Sequence, residues 1–233
     1  MKKSEDMMTE YIIHTEGVKR VFPLPDGTDF IALHDVNIAI PTKTLTILKG
    51  RSGSGKTTLM NMLGALDRPS EGKIHFEQSD ITKMTEPERE RLRRNRIGFV
   101  FQAVALIPVM TAYENVEFAL RLAGVKGDLK SRTEECLRMV GLGSRMNHMP
   151  QEMSGGEQQR VAIARAIVHK PAVIFADEPT GELDSQTGLQ VMKIFKGLIE
   201  QEGITVVITT HDPKMMELGD IVYEITDSTA VKR

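Results

Sequence analysis

Tryptophan is absent from this chain of 233 residues, aromatic residues make up 5% of it, and cysteine occurs once, at Cys136. A single thiol excludes an internal disulfide framework and fits a reducing compartment. No ligand partners flank it, so it reads as a structural or surface thiol. An excess of one charge sign is missing too: 30 Lys and Arg stand against 32 Asp and Glu, a net charge of −2. Nothing global therefore draws the chain to nucleic acid or to an anionic surface. Long apolar runs are also lacking. The longest uncharged stretch, Ile97 to Tyr113, contains Gly98, Gln102 and Pro108, which argues against a membrane span. The start, Met1 to Asp6, is charged with no apolar core behind it, unlike a signal peptide. Residues 1–10 read as a frayed tail. If the protein works at a membrane, something else must cross it.

What is present has the balance of a soluble globular protein, with 40% apolar and 27% charged residues. The length suits one large domain, or one domain with a subdomain. The 14 methionines read as fillers of an irregular core.

One stretch organises the rest. Gly50-Arg51-Ser52-Gly53-Ser54-Gly55-Lys56-Thr57-Thr58 follows the β-prone run Leu45 to Leu48 and precedes the helical run Leu59 to Leu63. A glycine, four residues, then Gly-Lys-Thr, set between strand and helix, is the phosphate-loop pattern. Its glycines let backbone N–H groups converge, and the helix behind adds its positive dipole end. In that pattern Lys56 reaches the β- and γ-phosphates and Thr57 ligates Mg²⁺.

Along the chain, Tyr11 to His14 and Val18 to Phe22 read as short strands, Pro23 to Gly27 as a turn, and Phe30 to Ile40 as further alternation. Together they predict an antiparallel sheet leading into the phosphate-loop strand, with Lys73 to Glu77 another short strand. Glu86 to Arg96 interleaves glutamates with five arginines and reads as a solvated helix rather than a nucleic-acid contact. Ile97 to Phe101 reads as a buried strand. Strand patterns vanish over 111–149, where Tyr113 to Ala123 and Leu129 to Val140 are amphipathic helices, followed by a helix over Gly156 to His169. A helical subdomain, about 111–169, is thus expected within a single domain spanning 1–233. The alternation then resumes: strand Val173 to Ala176, helix Gln186 to Glu202, strand Ile204 to Thr209, short helix Pro213 to Leu218, and a last strand Ile221 to Ile225. Strands alternating with helices imply an α/β fold with a parallel sheet.

A phosphate loop needs acids for Mg²⁺ and water. The apolar strand ending in Asp177-Glu178 supplies them at the carboxyl edge of the sheet. Asp177 is placed to hold Mg²⁺, and Glu178 to polarise the attacking water, as general base or by hydrogen bonding.

Met153-Ser154-Gly155-Gly156-Glu157-Gln158-Gln159-Arg160 resembles the signature motif of the ATP-binding-cassette (ABC) ATPases. Ile97 to Gln102 resembles that family's Q-loop entry, Gly181 to Asp184 its D-loop, and Ile208 to Asp212 its switch histidine, while Phe22-Pro23 sits where it has an adenine-stacking aromatic. The pieces occur in family order over roughly 11–225. The resemblance implies a P-loop ABC ATPase fold: a mixed sheet core, an N-terminal antiparallel β subdomain and an inserted helical subdomain. It implies ATP and Mg²⁺ as ligands. Phe22 would stack on adenine and residues 50–58 would cradle the phosphates. Gln102 would complete the shell of Mg²⁺ and water, and His211 would sense the γ-phosphate. Ser154, Gly155 and Gly156, with Glu157 behind them, would bind the ATP of a second copy, and Asp184 would bridge the two sites. Four positions depart from the pattern: Met153 for Leu, Lys43-Thr44 for Gly-Glu, Gln78 for a turn glycine, and Glu182 for Asn or Ser, which adds charge near the dimer interface.

The phrasing is similar to bacterial ATPases of the macrolide-export, lipoprotein-release and bacitracin-resistance type. That branch implies an ATPase at the inner face of the cell membrane, cytoplasmic, joined to a separate permease with a large extracytoplasmic domain. The segment Ala103 to Met110 resembles its permease-facing surface. A cell-division or signalling ATPase that regulates a membrane partner without moving solute is the alternative. A repair ATPase is excluded by the short spacing between Thr57 and Ser154, which leaves no room for coiled-coil arms, and no nucleic-acid partner is expected.

Overall fold

The computed structural model describes residues 11–233, so the tail expected over 1–10 lies outside the described residues. The strands are β1 (Tyr11–Pro23), β2 (Asp29–Val36), β3 (Ala39–Pro41), β4 (Leu45–Lys49), β5 (Glu71–Phe76), β6 (Ser79–Asp80), β7 (Ile97–Val100), β8 (Val173–Asp177), β9 (Thr205–Thr210), β10 (Ile221–Thr226) and β11 (Thr229–Lys232). The helices are α1 (Lys56–Leu63), α2 (Glu86–Arg96), α3 (Ala112–Leu122), α4 (Leu129–Met139), α5 (Gly155–Ile167), α6 (Ser185–Glu202) and α7 (Pro213–Met216), with a 3₁₀ turn at Pro150–Glu152. They form two units. One is the chain up to Arg93 together with Val207–Arg233; the other is Arg94–Val206.

In the first unit β1 runs unbroken where the alternation suggested two short strands. Gly17 interrupts the pattern at φ 57, and its N–H is held at 2.7 Å by Asn37 Oδ1. The register slips between Val18 and Arg20. The glycine makes a bulge, which bends a strand without ending it. β2 and β5 pair antiparallel with β1, with β3 also on β1 and β6 on β5. This is the antiparallel sheet the sequence predicted. Its buried face carries Ile13, Val18, Leu33, Val36, Ile40 and Ile74.

The same unit contains the strand order β11-β10-β4-β9. β4 and β10 are parallel, whereas β10 and β11 form an antiparallel hairpin. β11 corrects the expectation that Ile221 to Ile225 is the last strand, and its antiparallel pairing makes the sheet mixed, as the resemblance implied. The hairpin turn, Asp227-Ser228, has φ 49 and 65 without the Asn-Gly chemistry that normally announces it. Tertiary bonds hold it instead: Ser228 Oγ donates to Ile31 O at 3.0 Å, and Ser228 O accepts from His34 N at 2.7 Å.

The helix α2 is charged, as predicted, but not wholly solvated. Arg89 is only 4% exposed and donates to Ala65 O and Asp67 O. Arg93 also donates to Ala65 O. These arginines satisfy main-chain carbonyls in the turn just past the end of α1, groups that need a partner once buried.

In the second unit β7 and β8 pair in parallel. Phe175 is fully buried, its ring stacked on Phe99 with centroids 5.8 Å apart. Gly98 lets α5 approach: a Cβ there would lie 2.3 Å from Ala166 O. Helices α3, α4 and α5 occupy the region expected to be helical. Thr111 and Glu114 close a reciprocal capping box at the start of α3. Among the described residues, no helix is long and apolar enough to cross a membrane.

Cys136 on α4 is buried, and that burial pushes its thiol up to about 12. The folded thiol keeps its proton after an unfolded one would lose it. Any stability this contributes is therefore complete below the ordinary thiol range and is lost as pH climbs towards 12. Native protein at pH 8 should resist thiol-reactive disulfide reagents and react once unfolded in urea; labelling of the native chain at the rate of a free thiol would contradict this burial.

Candidate functional site

The phosphate loop is shaped by side chains it cannot have. At Gly50 a Cβ would lie 2.5 Å from both Ile225 O and Ser54 Oγ, and at Gly55 2.8 Å from Ala32 O. Gly55 and Gly53 hold φ 99 and 77, a region glycine enters without steric cost. Lys56 opens α1 with its side chain folded back, Nζ donating to Gly50 O at 2.8 Å and Arg51 O at 2.9 Å. Its residue is 6% exposed. Ser54 Oγ is buried without a hydrogen-bond partner. A glycine-lined turn, an unsatisfied hydroxyl and an ammonium resting on carbonyls together fit a polyphosphate. Thr57 is exposed at the same helix start.

Gly50 to Ser54 border a cleft of about 510 Å³ whose other walls include Phe30, Ala32, Asp227 and Ser228. Phe30 is thus an aromatic that sequence reasoning missed. It faces Phe22 across the β1–β2 register, a pairing that only the bulged strand reveals. Phe22 itself carries the Arg20 guanidinium 4.3 Å above its ring. Two Arg20 N–H groups are in turn held by the Asp67 carboxylate at 2.8 and 3.0 Å. His211 is exposed just beyond β9.

In the second unit β8 delivers Asp177, half-buried at its carboxyl end. Glu178 follows with φ 42, a left-handed backbone that costs a non-glycine residue about 1–3 kcal/mol and clusters at functional sites. Its carbonyl accepts from Gly181 N at 3.0 Å. Glu178 and Gln102 line one small cavity together with Gly155, Gln159 and Glu182. Gln159 Nε2 is buried without a partner. Gln102, Glu178 and the signature glycine, far apart in sequence, are therefore neighbours.

A second recess on this unit is lined by Ser154, Gly155, Gly156, Glu157, Arg160, Glu182, Asp184 and Thr187. Ser154 is the N-cap of α5, so the helix begins one residue earlier than expected. Its Oγ accepts from Glu157 N at 3.3 Å, and Glu157 Oε2 accepts from Ser154 N at 2.9 Å. That backbone bond, with the Ser154 hydroxyl and Arg145 adding to it, holds the Glu157 carboxyl below its usual range despite some burial. Asp184 caps α6, its Oδ1 accepting from Gln186 N and Thr187 N at 3.0 Å each. Gly156 lets α5 and α6 meet: an added Cβ would lie 2.4 Å from Thr187 Cγ2.

The segment after Gln102 is fastened from two sides. Arg165 on α5 donates to Ala105 O at 2.6 Å and Val104 O at 3.1 Å. Asn115 on α3, 1% exposed, accepts from Ile107 N and donates to Ile107 O, Met110 O and Thr111 O. What the segment leaves outward is apolar: Val109 is 79% exposed.

The model of one protein family, described as ABC transporter, matches residues 33–181. The chain belongs to the ABC transporter family. An uncharacterised ABC transporter ATP-binding protein of Methanocaldococcus jannaschii, MJ0796, is 44% identical over 201 residues, covering 84% of this chain and 86% of that one. The macrolide export ATP-binding/permease protein MacB of Syntrophobacter fumaroxidans is 40% identical over 219 residues, 93% of this chain. The chain spans only 30% of that relative's length. Among solved structures, a dimeric post-hydrolysis state of the ATP-binding cassette MJ0796 bound to ADP and Pi superposes with a TM-score of 0.87 at 37% identity, covering 95% of this chain and 97% of that one. The chain thus has the fold of an ABC cassette, a mixed sheet with an antiparallel β subdomain. Of the departures from the ABC transporter pattern, Lys43 stands at φ 57 where the pattern has glycine. At the β5–β6 turn it is Glu77, not Gln78, that takes positive φ, at 52. Both positions carry strain that a glycine would not.

Proposed function

We propose that this chain is the ATP-binding and ATP-hydrolysing subunit of an ABC transporter, working as two copies around two ATP molecules and driving a separate permease. The observation that carries this reading is the phosphate loop: Lys56 resting on two carbonyls above an unsatisfied Ser54 hydroxyl, at the start of α1. Lys56 leaves those carbonyls for the β- and γ-phosphates, while N–H groups of Arg51 to Thr58 and the α1 dipole take the remaining charge. Phe22 stacks on adenine, its ring kept in place by Arg20. Thr57, Gln102 and Asp177 are the residues that would hold Mg²⁺, and that ion would supply charge neutralisation to the phosphates. Glu178 orients the attacking water and receives its proton. His211 donates a hydrogen bond to the γ-phosphate. Ser154, Gly155, Gly156 and Glu157 complete the site of the second copy, and Asp184 links the two.

The recess that Ser154 to Glu157 line supports that last assignment, as does the dimeric state recorded for MJ0796. All these residues belong to one nucleotide-binding domain, 1–233, with its helical subdomain at about 111–169. The fastened, outwardly apolar segment Ala103 to Met110 suits a permease, with a large extracytoplasmic domain as in the branch the sequence resembles. That contact would keep the chain at the cytoplasmic face of the membrane.

The test is Glu178→Gln, which keeps the shape of the side chain and removes its basicity. With saturating Mg-ATP the variant should double its mass by light scattering and hydrolyse nothing, whereas with ADP it should stay monomeric. A variant that remains monomeric in Mg-ATP, both alone and with the permease, would remove the two-copy mechanism.

A further inference from the structure

Outside the candidate nucleotide site, the antiparallel sheet gathers on one face three side chains of types that can ligate a metal ion. His14 and Glu16 are two residues apart on β1 and so share a face. In the β1–β5 register His14 lies opposite His75, and Glu16 opposite Lys73. The imidazole rings stack with centroids 4.4 Å apart. His75 Nε2 lies 3.6 Å from Glu16 Oε1, and His14 Nε2 lies 4.0 Å from the same oxygen. One ligand atom from each residue falls within 4.8 Å of the others.

Two further observations give the cluster a direction. His75 Nε2 is fully buried and makes no hydrogen bond, although a buried ring nitrogen is normally satisfied. It is aimed at the Glu16 carboxylate from too far to bond it. Lys73 Nζ stands 3.7 Å from the other oxygen, Glu16 Oε2. The ammonium therefore turns Oε1 towards the histidines, the role of an outer partner that orients a ligand.

We propose that His14, Glu16 and His75 form a binding site for a borderline divalent transition-metal ion such as Zn²⁺, through both Nε2 atoms and Glu16 Oε1. Two imidazoles and one carboxylate suit that class of ion and are a poor set for Mg²⁺ or Ca²⁺, which take oxygen. A tetrahedral ion about 2.0–2.2 Å from each ligand sets neighbouring ligand atoms roughly 3.3 Å apart. His75 Nε2 and Glu16 Oε1 are already close to that spacing, and small rotations of the half-buried His14 and the exposed Glu16 side chains close the rest. The ion would satisfy His75 Nε2 and cross-link β1 to β5. Three protein ligands leave a fourth position to water.

The test is titration of the full chain with Zn²⁺ alone, in competition with a chromophoric chelator, together with thermal melts. Wild type should bind one Zn²⁺ per chain and melt at higher temperature with it. Glu16→Gln, an exposed change that spares the fold, should bind at least about tenfold more weakly. The pair His14→Gln, His75→Gln should lose both the binding and the thermal shift. His148→Gln, a histidine that is not part of the cluster, should keep both. A wild type that does not compete for Zn²⁺, or a double variant that binds as wild type does, would overturn the site.

Discussion

Lys56→Ala should abolish ATP hydrolysis, lowering the rate by about a hundredfold to a thousandfold, the scale on which a charge-stabilising donor at a transition state is lost. The expectation comes from what the side chain does in the structure. Its residue is almost buried and, among the described residues, its ammonium donates to Gly50 O and Arg51 O. Those are loop carbonyls that water could serve equally well, so the folded chain gains little from the lysine's pose. The arriving phosphates gain a great deal, because they meet a positive charge already desolvated and already at the helix start. Lys56→Met separates the two contributions: it keeps the buried stem and loses the charge. Its melting temperature should stay within a few degrees of wild type while hydrolysis falls as far as in Lys56→Ala. Steady-state phosphate release with saturating Mg-ATP, beside a thermal melt, reads both. Hydrolysis within a factor of ten of wild type in either variant would leave the phosphate loop without its assigned role.

Gly98→Ala should be among the most damaging single-methyl additions to the fold, at about 3 kcal/mol, the upper end for overpacking a core. The new Cβ would sit 2.3 Å from the Ala166 carbonyl oxygen. Backbone cannot step aside as a side chain can, so β7 and α5 must separate. Ala166→Gly should not rescue it, because the obstruction is the carbonyl and not the Ala166 methyl. The same substitution at Gly197 has the opposite sign. That residue lies within α6, and a Cβ there meets nothing within 4 Å. Gly197→Ala should therefore stabilise by about 0.5–1 kcal/mol through helix propensity alone. Urea unfolding followed by circular dichroism measures both. If the two variants moved together, the close approach of β7 and α5 would not be what Gly98 permits.

Most of this architecture could be read beforehand because its signals are local. Val173 to Ala176 is apolar and ends in acids. Gly50 to Thr58 carries every fixed position of its motif. What escaped has a different origin. The turn at Asp227-Ser228 is held by Ile31 and His34, some two hundred positions away in sequence, so no window around the turn contains its cause. Tyr11 to His14 and Val18 to Phe22 read as two strands because a bulge and a break between them have the same local signature until a partner such as Asn37 holds Gly17 in place. Arg89 looked solvated because its charge is obvious and its carbonyl partners on Ala65 and Asp67 are not. Phe30 lines the cleft beside Gly50 to Ser54 and Asp227-Ser228, segments far from it in sequence, so no local pattern marks it.

The way the segment from Ala103 to Met110 is fastened has a consequence for how this chain can change over time. Arg165 and Asn115 hold it entirely through main-chain carbonyls and one main-chain N–H, groups every residue but proline brings along. The outward side chain of Val109 takes no part in that fastening. Holding the shape and presenting a surface are thus assigned to separate residues. Mutations on the outer face can accumulate without loosening the loop, and one rigid frame can be refitted to a new neighbour by altering a few exposed letters.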